Sequence, residues 1–181
     1  MKLWLGIVCL LAFALAGCTK SEQPQGSAAP PQTLLAEGTV APPFDVTAHT
    51  GEHVTLAALR GKPVVLYFYP KDDTSGCTKE ACEIRDAWKQ FQDAGAVVLG
   101  VSTDDNASHV AFADKYKLPF PLLPDTGGAI AKAYGVPIRL GMVKRVTFII
   151  DKQGKITKVF PDVNPAGHAS EILAALAVQR T

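Results

Sequence analysis

Two continuous apolar runs constrain the fold more than any other feature of this sequence. Pro63 to Tyr69 reads PVVLYFY, and Val97 to Ser102 reads VVLGVS. Runs without polar alternation are typical of strands that are buried on both faces of a sheet. The segment between them, Ser75 to Ala94, has large apolar residues at helical spacings of three and four. A strand, a helix and a second strand in this order require a right-handed crossover, so the sequence predicts an α/β fold with a mainly parallel sheet.

The other segments extend this pattern at both ends. Further elements are predicted as strands over Phe44–Thr47 and Val54–Leu56, helices over Ala107–Tyr116 and Gly128–Tyr134, and a closing β-hairpin over Val146–Asp151 and Lys155–Phe160. Pro119 and Pro121 predict a loop. Asn164-Pro165 is expected to open a last helix that runs to Gln179, since proline fits a first helical turn. This order resembles the thioredoxin fold with an N-terminal β-hairpin extension.

A cysteine follows the first apolar run at the place where the helix should begin. Pro70 ends the run, and Cys77 comes seven residues later. A thiol attacks only as a thiolate, and an unperturbed cysteine is only ~3% ionised at neutral pH. The unpaired N–H groups and the positive dipole end of a first helical turn favour the anion. The sequence therefore predicts thiol redox chemistry, with Cys77 as the attacking group.

Three further residues are expected at the same site. Thr74 can turn its hydroxyl toward the sulfur or an incoming oxygen, although it could equally serve as a helix N-cap. Pro70 would form a wall of the pocket without adding an N–H donor. Arg145 precedes the strand-like segment VTFIID, and it would lie beside the cysteine loop if that strand neighbours the first apolar run.

A second cysteine, Cys82, lies five residues after Cys77. Five helical residues place two Cα atoms roughly 9 Å apart, whereas a disulfide tolerates only about 4.4–6.8 Å. The two cysteines therefore cannot be bonded while the helix is intact. Oxidation to a disulfide must unwind a turn or more, which argues against a purely structural disulfide.

These residues resemble a known family. Pro70, Thr74 and Cys77 form the pattern P-x-x-x-T-x-x-C, which matches the active-site motif of peroxiredoxins. Cys82 at C-x4-C resembles the peroxiredoxin Q group, also called the bacterioferritin comigratory protein group, within the thioredoxin-like superfamily. The later segment RVTFIIDKQGKI also looks like that family, in which Arg145 would be the active-site arginine.

The resemblance implies an atypical 2-Cys, thioredoxin-dependent peroxidase. In that cycle Cys77 attacks hydrogen peroxide or an organic hydroperoxide and becomes a sulfenic acid, while Thr74 and Arg145 polarise the O–O bond. Cys82 then condenses with Cys77, and a thioredoxin-like dithiol reduces the resulting disulfide. The cycle requires no metal and no other cofactor. We also expect a monomer rather than a dimer.

The first 17 residues predict an export signal. Lys2 precedes the apolar stretch Leu3 to Gly17, which is shorter than the about 20 residues that span a bilayer and ends in small residues. Leu15-Ala16-Gly17-Cys18 resembles the lipobox of bacterial lipoproteins, which implies a lipid anchor on Cys18. An uncleaved anchor is the alternative. By the same resemblance, Thr19 after the cysteine favours the outer membrane over the inner one.

Residues 18–33 should form the lipidated N-terminus and a flexible linker, because their Pro-, Ser- and Gln-rich sequence cannot bury enough apolar surface to fold. The peroxiredoxin-like domain is then expected over residues 34–181. Export would place it on the periplasmic side of a bacterial membrane, where a thioredoxin-like partner must supply electrons.

The formal net charge is +1, and Lys and Arg are scattered, so nucleic-acid binding is not indicated.

Two other functions share the same fold. A membrane-tethered thiol-disulfide oxidoreductase would use C-x-x-C, which closes a disulfide without unwinding a helix. A copper-binding protein would resemble C-x-x-x-C plus a distant histidine, for which His168 is the candidate. The chain has neither spacing, so both alternatives rank below the peroxidase.

Overall fold

The computed structural model describes residues 33–178. Its strands are β1 (Asp45–Thr47), β2 (His53–Thr55), β3 (Val64–Phe68), β4 (Val97–Ser102), β5 (Leu122–Pro124), β6 (Ile138–Arg139), β7 (Met142–Val143), β8 (Val146–Ile150) and β9 (Ile156–Phe160). Its helices are α1 (Ser75–Asp86), α2 (Trp88–Asp93), α3 (Asn106–Tyr116), α4 (Ala129–Ala133) and α5 (His168–Val178). The predicted signal, Cys18 and the linker up to residue 32 lie outside the described residues. Within residues 33–178, no helix has the length and apolar character needed to cross a membrane.

A mixed sheet in the order β5-β4-β3-β8-β9 forms the centre of the domain. The strands β3, β4 and β5 are parallel, while β8 and β9 form an antiparallel hairpin beside β3. The separate β1–β2 hairpin precedes the sheet. The predicted α/β class, with a thioredoxin-like sheet and an N-terminal β-hairpin, is confirmed.

Strand β3 is buried on both faces, as its unbroken apolar sequence predicts. Val65 and Tyr67 point into a cluster with residues of α1, α2, α3 and α5. Leu66 and Phe68 point into a second cluster on the other face, with residues of α4 and the β1–β2 hairpin. Cys77 belongs to the first cluster, so the reactive thiol is part of the packing between α1 and the sheet.

The predicted helix over Ser75–Ala94 is interrupted. Helix α1 ends at Asp86, and Ala87 leaves helical geometry with φ −90° and ψ 8° before α2 begins at Trp88. At this break the Trp88 ring packs against Phe120, with centroids 5.8 Å apart. Apolar spacing alone could not reveal the interruption, because the same helical period continues across it.

Short strands β5, β6 and β7 were not predicted. The three residues of β5 follow the expected proline loop and pair with β4 at the sheet edge, where Pro124 needs no N–H donor. The β6–β7 hairpin turns through Leu140 and Gly141, both with positive φ. A leucine in this left-handed conformation is uncommon, so the turn has no clear sequence signal.

The start of the last helix was predicted too early. Residues 165–167 form a turn, and α5 begins only at His168. Gly167 has φ 87°, a left-handed conformation that interrupts a right-handed helix. The predicted end at Gln179 lies beyond the described residues.

Candidate active site

Cys77 is the third residue of α1, as the sequence predicts. Thr74 precedes the helix in an extended conformation, and the first helical hydrogen bond runs from Thr78 N to Thr74 O at 2.8 Å. The Cys77 side chain is buried. The thiol therefore lies in the first turn, where backbone N–H groups without intrahelical acceptors favour an anion.

Arg145 contacts the Cys77 sulfur. Because β8 runs antiparallel to β3 and pairs Val146 with Phe68, the start of β8 lies beside the end of β3. Arg145 comes immediately before β8, and its Nη2 atom lies 3.1 Å from Cys77 Sγ. The predicted approach of this arginine to the cysteine loop is thus present, in a geometry that stabilises a thiolate by a charge-assisted hydrogen bond.

Glu80 is a third member of the site that the sequence analysis missed. It lies three residues after Cys77 on α1, is fully buried, and accepts a hydrogen bond from Arg145 Nη1 through Oε2. Burial raises the pKa of Glu80 to about 7, although Arg145 acts in the opposite direction. The i, i+3 spacing from Cys77 was the available signal, since such residues share a helix face.

The Arg145 guanidinium is therefore shared between two acidic groups. Burial opposes its charge, but Glu80 and Cys77 outweigh burial and raise the pKa of Arg145. The guanidinium stays charged at physiological pH, whereas Glu80 is only partly ionised near neutrality. Protonation of Glu80 leaves more of the positive charge to Cys77.

Thr74 and Pro70 both lie in the cysteine loop, but the Thr74 hydroxyl makes neither of its two predicted contacts. The Thr74 hydroxyl donates to the backbone oxygen of Lys71 at 3.0 Å, and not to the Cys77 sulfur. It also does not cap the helix. Pro70 lies at the edge of a cavity of about 500 Å³, whose other lining residues are Pro137, Arg139, Met142, Val143 and Lys144.

A buried polar network holds the start of the cysteine loop. The Asp72 carboxylate accepts hydrogen bonds from the Tyr69 hydroxyl at 2.7 Å and the Ser108 hydroxyl at 2.7 Å. It also contacts His109 Nδ1 at 2.8 Å. Burial opposes ionisation of Asp72, but these partners outweigh it and lower the pKa of the carboxyl group. The loop is thereby attached to the first turns of α3.

The last turn of α3 holds the chain on both sides of the two cysteines. Asp73, which has φ 55°, binds Lys115 Nζ at 2.6 Å and the Tyr116 hydroxyl at 2.6 Å. On the other side, Arg85 Nη1 donates to the Tyr116 carbonyl at 2.7 Å. The segment that contains Cys77 and Cys82 therefore lies between two anchored points.

Cys82 is half-buried on the same intact helix as Cys77, and both thiols are free. The Arg85 guanidinium is charged beside it: Asp86, and to a smaller extent Cys82, raises the pKa of Arg85.

His168, the candidate copper ligand, is buried at the start of α5. Among residues 33–178, no cluster of His, Cys, Asp and Glu could hold a metal ion.

Comparison with known proteins identifies relatives over most of the chain. The chain is 47% identical over 146 residues to a putative peroxiredoxin bcp of Coxiella burnetii, which covers 77% of this chain and 97% of that protein. It is 45% identical over 145 residues to chloroplastic peroxiredoxin Q of Sedum lineare, which covers 78% of each chain.

Solved structures of similarly named proteins also match this chain. Peroxidoxin BcpB of Mycobacterium tuberculosis matches with a TM-score of 0.75 and 38% identity over 80% of this chain and 98% of that one. The bacterioferritin comigratory protein of Xanthomonas campestris, described with alkyl peroxide reduction activity, matches with a TM-score of 0.73 and 34% identity over 76% and 92% of the two chains. The AhpC/TSA family matches residues 38–159, a span that contains both cysteines, Glu80 and Arg145. The chain therefore belongs to the AhpC/TSA family, among relatives named peroxiredoxin Q and bcp.

Proposed function

We propose that this chain is a thiol-dependent peroxidase that reduces hydrogen peroxide and organic hydroperoxides to water and alcohols. The observation that carries the proposal is the contact of 3.1 Å between Arg145 Nη2 and the Cys77 sulfur in the first turn of α1. A buried thiol with a guanidinium and helix N–H groups around it is suited to reaction as a thiolate. The peroxiredoxin names of its relatives support the same function.

In the first step the Cys77 thiolate attacks the terminal oxygen of the hydroperoxide. An S–O bond forms as the O–O bond breaks, and the departing oxygen takes a proton to leave as water or an alcohol. Cys77 becomes a sulfenic acid. Arg145 and the first-turn N–H groups stabilise the charge that moves onto the departing oxygen. Thr74 can join them if its hydroxyl leaves the Lys71 carbonyl and turns to the peroxide.

In the second step the Cys82 thiol attacks the Cys77 sulfenic acid, which forms a disulfide and releases water. Both residues lie on α1, where their Cα atoms are roughly 9 Å apart by helix geometry. Helix α1 must therefore unwind between the two anchored points described above. A thioredoxin-like dithiol then reduces the disulfide by thiol exchange.

The cavity beside Pro70 is a candidate site for the organic part of a hydroperoxide. Its walls include Pro70, Pro137, Met142 and Val143, which offer apolar surface to an alkyl chain. The alkyl peroxide reduction described for the Xanthomonas campestris relative supports this assignment.

Replacement of Cys82 tests the proposed cycle. We expect Cys82→Ser to reduce about one equivalent of peroxide and then stall as the Cys77 sulfenic acid, because no second thiol is available to form a disulfide. The measurement is peroxide consumption with a supplied thioredoxin system, together with trapping of the sulfenic acid by dimedone. In the wild type, peptide mapping should find a Cys77–Cys82 disulfide. Unchanged turnover in Cys82→Ser would show that another group resolves the intermediate.

We also propose that the protein is an exported lipoprotein and a monomer. The support for the lipoprotein is the apolar stretch Leu3 to Gly17, whose end together with Cys18 resembles a lipobox, and the polar linker that follows it. The domain would then act at the periplasmic face of a membrane, where an exported thioredoxin-like protein supplies the electrons.

Replacement of Cys18 tests the anchor. Cys18→Ser should move the protein out of the membrane fraction, because no thiol remains to carry lipid, while the peroxidase activity of the folded domain stays unchanged. Fractionation and mass spectrometry of the N-terminal peptide provide the readout. If Cys18→Ser stays in the membrane, the apolar stretch itself is the anchor.

A further inference from the structure

One oxygen of Glu80 has no role in the contacts described so far. Oε2 accepts from Arg145, whereas Oε1 is buried and has no hydrogen-bond partner among the described residues. The His168 Nε2 atom lies 4.0 Å from Oε1, which is within ion-pair range but beyond a hydrogen bond. The side chain behind Glu80 is thus an imidazole that the peroxide reaction does not use directly.

The imidazole of His168 is fully buried and held on three sides. Its Nε2 atom lies 2.9 Å from Thr147 Oγ1, its Nδ1 atom lies 3.1 Å from Glu171 Oε2, and the ring meets Phe160 edge to face. Burial lowers the pKa of His168, so the ring is neutral at physiological pH. Only Nδ1 is within hydrogen-bond distance of a carboxylate oxygen, whereas Nε2 lies 4.0 Å from Glu80 and close to a hydroxyl that can donate to it. We therefore assign the hydrogen to Nδ1 and the lone pair to Nε2.

This tautomer determines how Glu80 can carry charge. The Nε2 lone pair accepts the Thr147 hydroxyl proton and also faces Oε1, where it disfavours negative charge. When Glu80 is protonated, the lone pair favours the proton on Oε1 and leaves Oε2 as the acceptor for Arg145. Thr147 is two residues after Arg145 at the start of β8, so the imidazole is fixed to the strand that follows the arginine.

We propose that His168 is a positioning residue for Arg145: acting through Glu80, it maintains the arrangement that places Arg145 Nη2 on the Cys77 sulfur. The chain of contacts runs from His168 to Glu80, from Glu80 to Arg145, and from Arg145 to Cys77. This inference rests on the proposed peroxidase function.

The same arrangement predicts a pH dependence. The titratable and charged groups that face Glu80 and His168 are Cys77 and Glu83 on α1, Tyr67 on β3, Arg145 before β8, and Glu171 on α5. Glu80 is the group that changes protonation near neutrality. The rate of the peroxide reaction should therefore show an ionisation of Glu80, and a change at His168 should move it.

Two amide variants of His168 test the roles of its two ring nitrogens separately. His168→Gln places an amide near the position of Nε2, whereas His168→Asn reaches only the position of Nδ1. We expect the rate constant for hydrogen peroxide to fall about tenfold in His168→Asn, the effect of about one pKa unit of lost charge stabilisation, and to stay within about threefold of wild type in His168→Gln. Stopped-flow measurements on the reduced full-length chain, from acid to mildly alkaline pH, give both the rate and its profile.

A double-mutant cycle tests whether His168 acts through Glu80. In a Glu80→Gln background, His168→Asn should cause no further loss, because the carboxylate that it orients is gone. Leu176→Ala is the matched packing control: Leu176 is buried on the same helix, and its loss should lower thermal stability while leaving the rate constant unchanged. Equal losses from His168→Asn in both backgrounds would overturn the proposal.

A surface variant covers the case in which His168→Asn does not fold. Glu171 is 56% exposed, and Glu171→Gln releases the ring from a fixed tautomer, so that Nε2 can carry hydrogen and donate toward Glu80. The Glu80 ionisation should then move to lower pH, and an unchanged profile contradicts the proposal.

If the wild type itself does not reduce peroxide, the proposed function fails. If the wild type is active and His168→Asn is equally fast, only this inference fails.

Discussion

Replacing Cys77 with serine is expected to abolish hydroperoxide reduction, with a loss of at least about 10³-fold in rate. The serine hydroxyl fits the same volume, but at neutral pH it stays protonated, because residues 33–178 place no general base in a hydrogen bond with this position. Arg145 and the helix N–H groups can stabilise an anion, and they cannot create one from an alcohol. The measurement is peroxide consumption with dithiothreitol or a thioredoxin system.

The control for this variant is its folding. Serine replaces a buried side chain in the cluster between α1 and the sheet, so the thermal midpoint should fall, while the circular dichroism spectrum at the assay temperature should still match that of the wild type. Cys82→Ser provides the matched comparison, since it also loses one thiol but should complete a single turnover. Multiple turnovers in Cys77→Ser would falsify the assignment of the attacking group.

Replacing Arg145 with glutamine is expected to lower the rate constant for peroxide by about 10²–10³-fold. The guanidinium bridges Cys77 and Glu80 through two different nitrogens. Glutamine supplies neither the positive charge nor two separate nitrogen donors. Arg145→Lys should fall between glutamine and the wild type, because it keeps the charge as a single point and loses the two-pronged geometry. Stopped-flow kinetics and the ultraviolet absorbance of the thiolate at neutral pH measure the effect.

A matched arginine on the surface serves as the control. The Arg60 guanidinium lies against Gly154 in the β8–β9 turn, beside the start of β3 and away from Pro70 at its end. Arg60→Gln should keep a rate constant within about twofold of wild type. A rate in Arg145→Gln equal to that in Arg60→Gln would exclude a role for the contact with Cys77.

The sequence carries the main features of this site because they follow from local rules. The buried β3 run, the turn at Pro70 and the helix start fix Cys77 in the first turn of α1. The neighbouring position of β8 follows from sheet topology, and it brings Arg145 to the sulfur. These features depend on apolar pattern, turn residues and strand order, which single-sequence reasoning can evaluate.

The remaining features depend on contacts between distant segments. His168 meets Glu80 only because the turn at Gly167 delays the start of α5, and the sequence suggested an earlier start. The partner of the Thr74 hydroxyl is the Lys71 carbonyl, a choice made by loop geometry. The β6–β7 hairpin beside Pro70 turns through a left-handed leucine, which no propensity rule predicts.

The contacts that the last turn of α3 makes with Asp73 and Arg85 bear on how the protein withstands high peroxide concentrations. As long as the segment between these contacts stays helical, a newly oxidised Cys77 would remain in the folded pocket, where a second peroxide can carry it to an irreversible sulfinic acid. Once α1 opens, Cys82 removes that risk. The ease with which α1 unwinds between these contacts would therefore influence the peroxide dose at which the protein inactivates itself.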